Sequence, residues 1–190
     1  STRMRPSKLE DFVGQEHFMY PGSLFYNSIK NKTFDSAIFF GPSGTGKTTL
    51  ARIIAREMDG KFYEINASTT GTKELKELIE RAQDSFYGLE NKTTYVYIDE
   101  FHRWNKLQQD SLLKALEEGV IKFIGSTTEN PYFAVNNAII SRVRNIYEFK
   151  RLTPDNLITI IKRALNDRER GFGNLNIKYD EEALRTLAEL

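Results

Sequence analysis

Gly41-Pro42-Ser43-Gly44-Thr45-Gly46-Lys47-Thr48 fills every fixed position of the pattern G-x-x-x-x-G-K-[ST], and Thr49 follows it. Glycines in such a loop let backbone N–H groups turn inward around phosphate oxygens, and a helix starting at its end adds partial positive charge. Lys47 would then reach the β- and γ-phosphates of a nucleoside triphosphate, and the Thr48 hydroxyl would ligate Mg²⁺. Further along, Tyr95-Val96-Tyr97-Ile98 ends in Asp99-Glu100. A carboxylate at that point, near the phosphate loop, would hold Mg²⁺ through water, the role given to Asp99. Glu100 would polarise the attacking water as a general base. Acids also commonly end strands, but the upstream phosphate loop favours the chemical role. Together the two carboxylates point to hydrolysis rather than nucleotide storage.

Two further segments bear on phosphoryl transfer. Ser126-Thr127-Thr128-Glu129-Asn130 offers polar side chains where a strand ends, able to touch a γ-phosphate or orient water. Ordinary turn chemistry is the alternative. Ser141-Arg142-Val143-Arg144 offers arginines, and an arginine supplied by a neighbouring subunit can stabilise the transferring phosphoryl group. Spacing alone favours a solvated basic pair there.

These groups need a scaffold. Ala37-Ile38-Phe39-Phe40 is a short continuous apolar run, as expected of a strand buried on both faces. A helix follows from Lys47 to about Met58, a second strand from Phe62 to Ile65, and a third from Tyr95 to Ile98. Leu75, Leu78, Ile79 and Ala82 recur with the period of an amphipathic helix. Asn105 with Gln108 forms a capping-box pattern opening the next helix, and Gly119 closes it. Ile121–Gly125 and Ile146–Phe149 complete five strands. Strands alternating with helices imply a three-layer α/β/α core around a parallel sheet, spanning residues 1–151. Thr153-Pro154-Asp155 then starts a helix with Leu157, Ile160 and Ile161 on one face, and Asp180 starts another. Residues 152–190 are expected to be the first part of a helical second domain, cut short at Leu190.

Composition narrows the classes. The chain of 190 residues has no cysteine and two histidines, so thiolate chemistry is excluded and a histidine metal cage disfavoured. A net charge of +1 argues against a globally basic nucleic-acid binder but leaves room for local patches. No apolar run approaches the roughly 18 residues of a membrane span, and STRMRPSKLEDF lacks the apolar centre of a signal peptide. A soluble, cytoplasmic protein is expected.

The sequence resembles AAA+ ATPases, and closely the replication-associated recombination protein A family, itself similar to the Werner-helicase-interacting protein. The resemblance runs from Arg3 to Leu190 and is carried by RMRPSKLEDFVGQEH, DEFHRWNKLQQDSLLKALEEG and IGSTTENPYFAVNNAIISRVR. It implies an AAA+ core with a helical lid, using ATP and Mg²⁺. It also implies that Arg5, Pro6, Val13, Gly14 and Gln15 wall the adenine pocket, and that Thr128 is the sensor-1 residue, with Thr127 one position away. Arg142 fits the arginine finger acting in trans, which reverses the spacing-only preference. Ser43 stands where the family has a second proline, Val143 where it commonly has cysteine, and Phe101 and Trp104 where it has an aliphatic residue and Phe. The family's sensor-2 arginine and oligomerisation domain lie beyond Leu190.

The implied activity is ATP hydrolysis in a replication-fork or recombination protein acting on single-stranded or forked DNA. Such a protein is expected to be homo-oligomeric, nucleoid-associated and free of membrane contact. Single-stranded-DNA-binding protein and replisome components are the implied protein partners. The isolated chain is expected to turn over poorly. A clamp-loader subunit, a RuvB-like branch-migration motor and a nucleotide-dependent interaction module are the alternatives. Lys150, Arg151, Lys162, Arg163, Arg168 and Arg170 read mainly as a solvated face, Tyr132 and Phe133 as core rather than base-stacking residues, and His102 as an exposed structural histidine rather than a relay.

Overall fold

Ala37, Ile38 and Phe39 are fully buried, and their side chains alternate between two separate apolar clusters, which makes this strand the centre of the fold. The computed structural model describes residues 2–190. Five strands, β1 (Ala37–Phe40), β2 (Lys61–Asn66), β3 (Thr94–Asp99), β4 (Ile121–Thr127) and β5 (Ile146–Glu148), form one sheet in the order β2-β3-β4-β1-β5. Every pairing is parallel. The parallel arrangement requires a crossover between successive strands, and helices supply most of that chain.

On one face α1 (Leu24–Lys30) and α2 (Lys47–Glu57) cover Phe39, Tyr95 and Tyr97 with Phe25, Ile29, Leu50 and Ile54. On the other, α3 (Thr72–Tyr87), α4 (Lys106–Glu118) and α6 (Asn137–Val143) cover Ile38, Val96 and Ile98 with Leu75, Leu112, Leu116 and Ile139. A one-turn helix, α5 (Pro131–Ala134), precedes α6. The expected three-layer core is therefore present. Leu9 and Met19 enter the α1–α2 cluster and so pin the N-terminal segment to the core.

Local signals set several boundaries. Asn105 and Gln108 make both bonds of a capping box on α4, and Gly119 ends that helix at φ 76°. Thr153 and Asn156 do the same for α7 (Pro154–Asn166), with Pro154 in the first turn. Asp180 caps α8 (Glu181–Glu189). These last two helices pack on each other through a small cluster of their own, Ile158 against Leu184 and Ala188. Among the described residues no helix is long and apolar enough to cross a membrane.

Sheet register brings the chemistry to one edge. Phe40 pairs with Thr127 and Ile98 with Gly125, so the ends of β1, β3 and β4 lie side by side. Ligands of parallel α/β sheets bind outside these carboxyl ends.

Candidate functional site

The glycine-rich loop runs from β1 into α2 along that edge. The Gly41 N–H donates to the Thr127 carbonyl at 3.1 Å, which ties the start of the loop to the tip of β4. A Cβ at Gly41, where φ is 140°, would lie 2.1 Å from the Phe149 carbonyl oxygen, so no side chain fits. Gly46 caps α2 in the left-handed region at φ 102° with Phe12 close behind it. Lys47 is buried and curls over the loop, its ammonium donating to the Gly41 carbonyl at 2.8 Å and the Pro42 carbonyl at 2.6 Å. Burial lowers its pKa, and the Asp99 charge opposes that shift.

Asp99 is the last residue of β3, and its Oδ1 accepts the Glu100 N–H at 3.0 Å. Glu100 itself adopts a left-handed conformation, φ 52° and ψ 41°, which is uncommon for a residue with a side chain and recurs at functional sites. The Ser68 hydroxyl, just past β2, donates to the Glu100 carboxylate. Thr48 donates to the Tyr97 hydroxyl at 3.1 Å from the first turn of α2. Burial pushes the Tyr97 phenol up to about 12, so it stays neutral and able to accept that bond.

A cavity of about 900 Å³ opens over these groups. Ser43 to Thr49, Asp99, Glu100 and the Ser126–Thr128 tip line it from the core, and Arg5, Pro6 and Val13 line it from the N-terminal segment. Gly14 and Gln15 stand behind that wall. A Cβ on Gly14 would strike the Leu152 side chain at 2.5 Å, and the buried Gln15 carboxamide joins Thr45 to Lys150. Ser126 and Thr127 are buried, whereas Thr128 is exposed at the cavity. Glycines that let the loop turn, a lysine, and a hydroxyl and carboxylate as hard oxygen donors fit a triphosphate with Mg²⁺. Arg142 is not brought to this cavity. It is exposed on α6, and its guanidinium donates to the Leu116 carbonyl at 3.3 Å.

Several surface expectations are overturned. Tyr132 and Phe133 are 60% and 91% exposed, not core, because the single turn of α5 buries Pro131 instead. The His102 side chain is only 9% exposed and bonds to Thr127 at 2.8 Å, so it is not a surface histidine. Arg163 and Arg170 are exposed as expected, and they also border the cavity, Arg163 donating to the Asp11 carbonyl and Arg170 pairing with Asp167 at 3.1 Å. Tyr97, Ser68 and the cavity-lining Phe12, Ile160 and Phe172 also belong to the site, beyond the residues that motif and spacing point to. Only the alternation of β3, which turns Tyr97 toward α2, carried a trace of them in sequence.

Residues 37–151 match the sequence profile of the ATPase family associated with various cellular activities (AAA). Replication-associated recombination protein A of Escherichia coli strain K12 is 41% identical over all of this chain, which covers 42% of that protein. ATPase WRNIP1 of Dictyostelium discoideum is 40% identical over all of this chain, which covers 21% of it. The chain thus spans about two fifths of the bacterial relative. The solved Holliday junction branch migration motor RuvB of Thermotoga maritima superposes with a TM-score of 0.78 at 26% identity, covering 98% of this chain and 59% of that one.

Proposed function

The chain belongs to the AAA family of ATPases, and from that premise we propose that it is a Mg²⁺-dependent, ATP-hydrolysing module of a replication-associated recombination protein. The observation that carries the reading is the convergence of Lys47, Thr48, Asp99 and Glu100 on one cavity at the carboxyl edge of the sheet. In this reading residues 1–151 are the nucleotide-binding core and residues 152–190 the lid. Arg5, Pro6 and Val13 hold the base, with Gly14 and Gln15 supporting them. The loop from Gly41 to Gly46, with Thr49 behind it, surrounds the phosphates.

Each side chain then has a task. Lys47 leaves the loop carbonyls to meet the β- and γ-phosphates, as a desolvated ammonium seeks the stronger anionic partner. Thr48 and Asp99 hold Mg²⁺, which supplies Lewis-acid neutralisation of the phosphate charge when bound. Glu100 takes the proton of the attacking water, and Ser68 holds its carboxylate in place. Thr128 faces the γ-phosphate as sensor 1.

Arg142 lies outside the cavity of its own chain, which supports its use as a finger in the site of a neighbouring copy. A homo-oligomer with poor turnover in the lone chain follows. The name of the bacterial relative, a replication-associated recombination protein, supports action on DNA. In this reading the DNA is single-stranded or forked, and single-stranded-DNA-binding protein and replisome components are the partners. A cytoplasmic, nucleoid-associated setting goes with that role.

Glu100→Gln tests the hydrolysis reading. Tight ATP binding with turnover lost is expected; turnover equal to wild type would sink it. A branch-migration motor is the second reading, favoured by the RuvB superposition. Stronger ATPase stimulation by a four-way junction than by single-stranded or forked DNA would select it.

A further inference from the structure

His102 sits just beyond Asp99 and Glu100, in a 3₁₀ turn spanning Phe101–His102–Arg103. That turn is held hard against β4. Phe101 is fully buried with its ring 4.8 Å from Phe123, and a Cβ on Gly125 would lie 3.5 Å from the Phe101 ring. The imidazole reaches from this anchored turn to the tip of β4, where its Nδ1 lies 2.8 Å from the Thr127 hydroxyl. Thr127 is joined in turn to the phosphate loop, because its carbonyl accepts the Gly41 N–H at 3.1 Å.

Hydrogen-bond valence decides what this contact does. A threonine hydroxyl has one proton and two lone pairs. The Glu129 N–H already occupies one lone pair of Thr127 at 3.0 Å. On the other side of the ring, Nε2 faces the Glu129 carboxylate at 3.8 Å, which favours a proton on Nε2. In the neutral ring Nδ1 is then an acceptor, and the Thr127 proton points at it. In that state Thr127 has no proton to give a phosphate oxygen. Thr128, exposed at the cavity, is the neighbouring threonine left to do so.

We propose that His102 is a positioning residue for ATP hydrolysis: it accepts the Thr127 hydroxyl proton, fixes the tip of β4, and thereby presents Thr128 to the γ-phosphate. The inference rests on the ATPase reading above and acts through Thr127, not through contact with the nucleotide. It also gives the acid-bearing segment a direct mechanical link to the residue that senses the γ-phosphate.

The test is kinetic, on the assembled full-length protein, and spectroscopic. His102→Ala is expected to lower kcat roughly five- to tenfold, the loss of one positioning hydrogen bond, with KM for ATP unchanged. His102→Asn, whose amide occupies the Nδ1 position, is expected to restore most of kcat. In a Thr127→Val background, His102→Ala should have no further effect. Unchanged kcat in His102→Ala, failure of Asn to rescue, or multiplicative effects of the two substitutions would each overturn the proposal. Recorded on this 190-residue chain, which has only two histidines to assign, the ¹⁵N NMR signal of the imidazole gives a readout independent of turnover. A proton on Nε2 and none on Nδ1 supports the bond as drawn; a protonated Nδ1 overturns it. A wild-type protein that shows the expected tautomer yet binds ATP without hydrolysing it fails the ATPase reading instead, so the two failures are distinguishable.

Discussion

Thr48 and Tyr97 are joined across the α2–β3 interface, the threonine hydroxyl donating to the phenol oxygen at 3.1 Å. A hydroxyl that ligates a cation does so through a lone pair, and its proton then needs an acceptor elsewhere. Tyr97 supplies that acceptor. The pair therefore aims a Thr48 lone pair into the site before any ligand arrives.

Tyr97→Phe should weaken Mg²⁺-dependent ATP affinity about two- to tenfold, the value of one neutral hydrogen bond. Nucleotide affinity measured with chelator present should not change, because in the proposed role that bond serves only the metal. Titration calorimetry with and without Mg²⁺ checks this. Equal weakening in both conditions would show that Tyr97 shapes the pocket rather than the Thr48 hydroxyl.

Tyr95 and Tyr97 lie on the same face of β3, and burial pushes each phenol up to about 12 from an ordinary value of 10.0. Between those values the unfolded chain has lost protons that the folded chain keeps. Stability is thus fully present below about pH 10 and falls as pH rises toward 12, by on the order of 2–3 kcal/mol per tyrosine. Urea unfolding at about pH 9 and pH 11 measures about the first half of the fall. Tyr95→Phe should remove about half of it, and a pH-independent midpoint would contradict the burial argument.

What was legible in the sequence was local. Each fixed residue from Gly41 to Thr48 is demanded by phosphate chemistry within one turn of chain, and the caps at Asn105 and Thr153 need only residues three positions away. The contacts that sharpen the site are cross-strand. Tyr97 meets Thr48, and His102 meets Thr127, only because the sheet sets β3 beside β4 and β4 beside β1. Neither spacing nor periodicity encodes that order. The helices α1, α5 and α6, of seven, four and seven residues, are too short for a 3.6-residue period to stand out. Phe133 on α5 therefore stays outside the core that its apolar side chain suggests.

Lys47 combines a functional necessity with a structural cost. It is buried, its charge is disfavoured there, and its ammonium is held by two loop carbonyls. Lys47→Met should abolish ATP binding and turnover, yet leave the unfolding free energy within about 1 kcal/mol of wild type, since replacing a desolvated charge by an apolar chain offsets the lost bonds. Calorimetric titration with ATP and urea unfolding of the same preparation separate the two effects. A large loss of stability would mean that the loop depends on the ammonium for its fold.

Gln15 provides the strictest test of how the N-terminal segment is held. The residue is buried, its backbone is left-handed at φ 57°, and its carboxamide makes three bonds. Nε2 donates to the carbonyls of Thr45 at 3.2 Å and Lys150 at 2.8 Å, and Oε1 accepts the Lys150 N–H at 2.8 Å. One side chain thereby ties the phosphate loop to the connection between β5 and α7 and fixes the segment carrying Val13 against the cavity. Gln15→Ala should cost about 2–3 kcal/mol, because buried backbone groups of both segments lose their partner. Gln15→Glu is nearly the same size but turns a donor into a second acceptor facing two carbonyl oxygens. At neutral pH it should therefore cost more than the alanine variant, and ATP affinity should fall in the same order. Urea midpoints and ATP titrations of the two variants decide it. If glutamate is tolerated better than alanine, side-chain volume rather than the donor pattern holds the N-terminal segment.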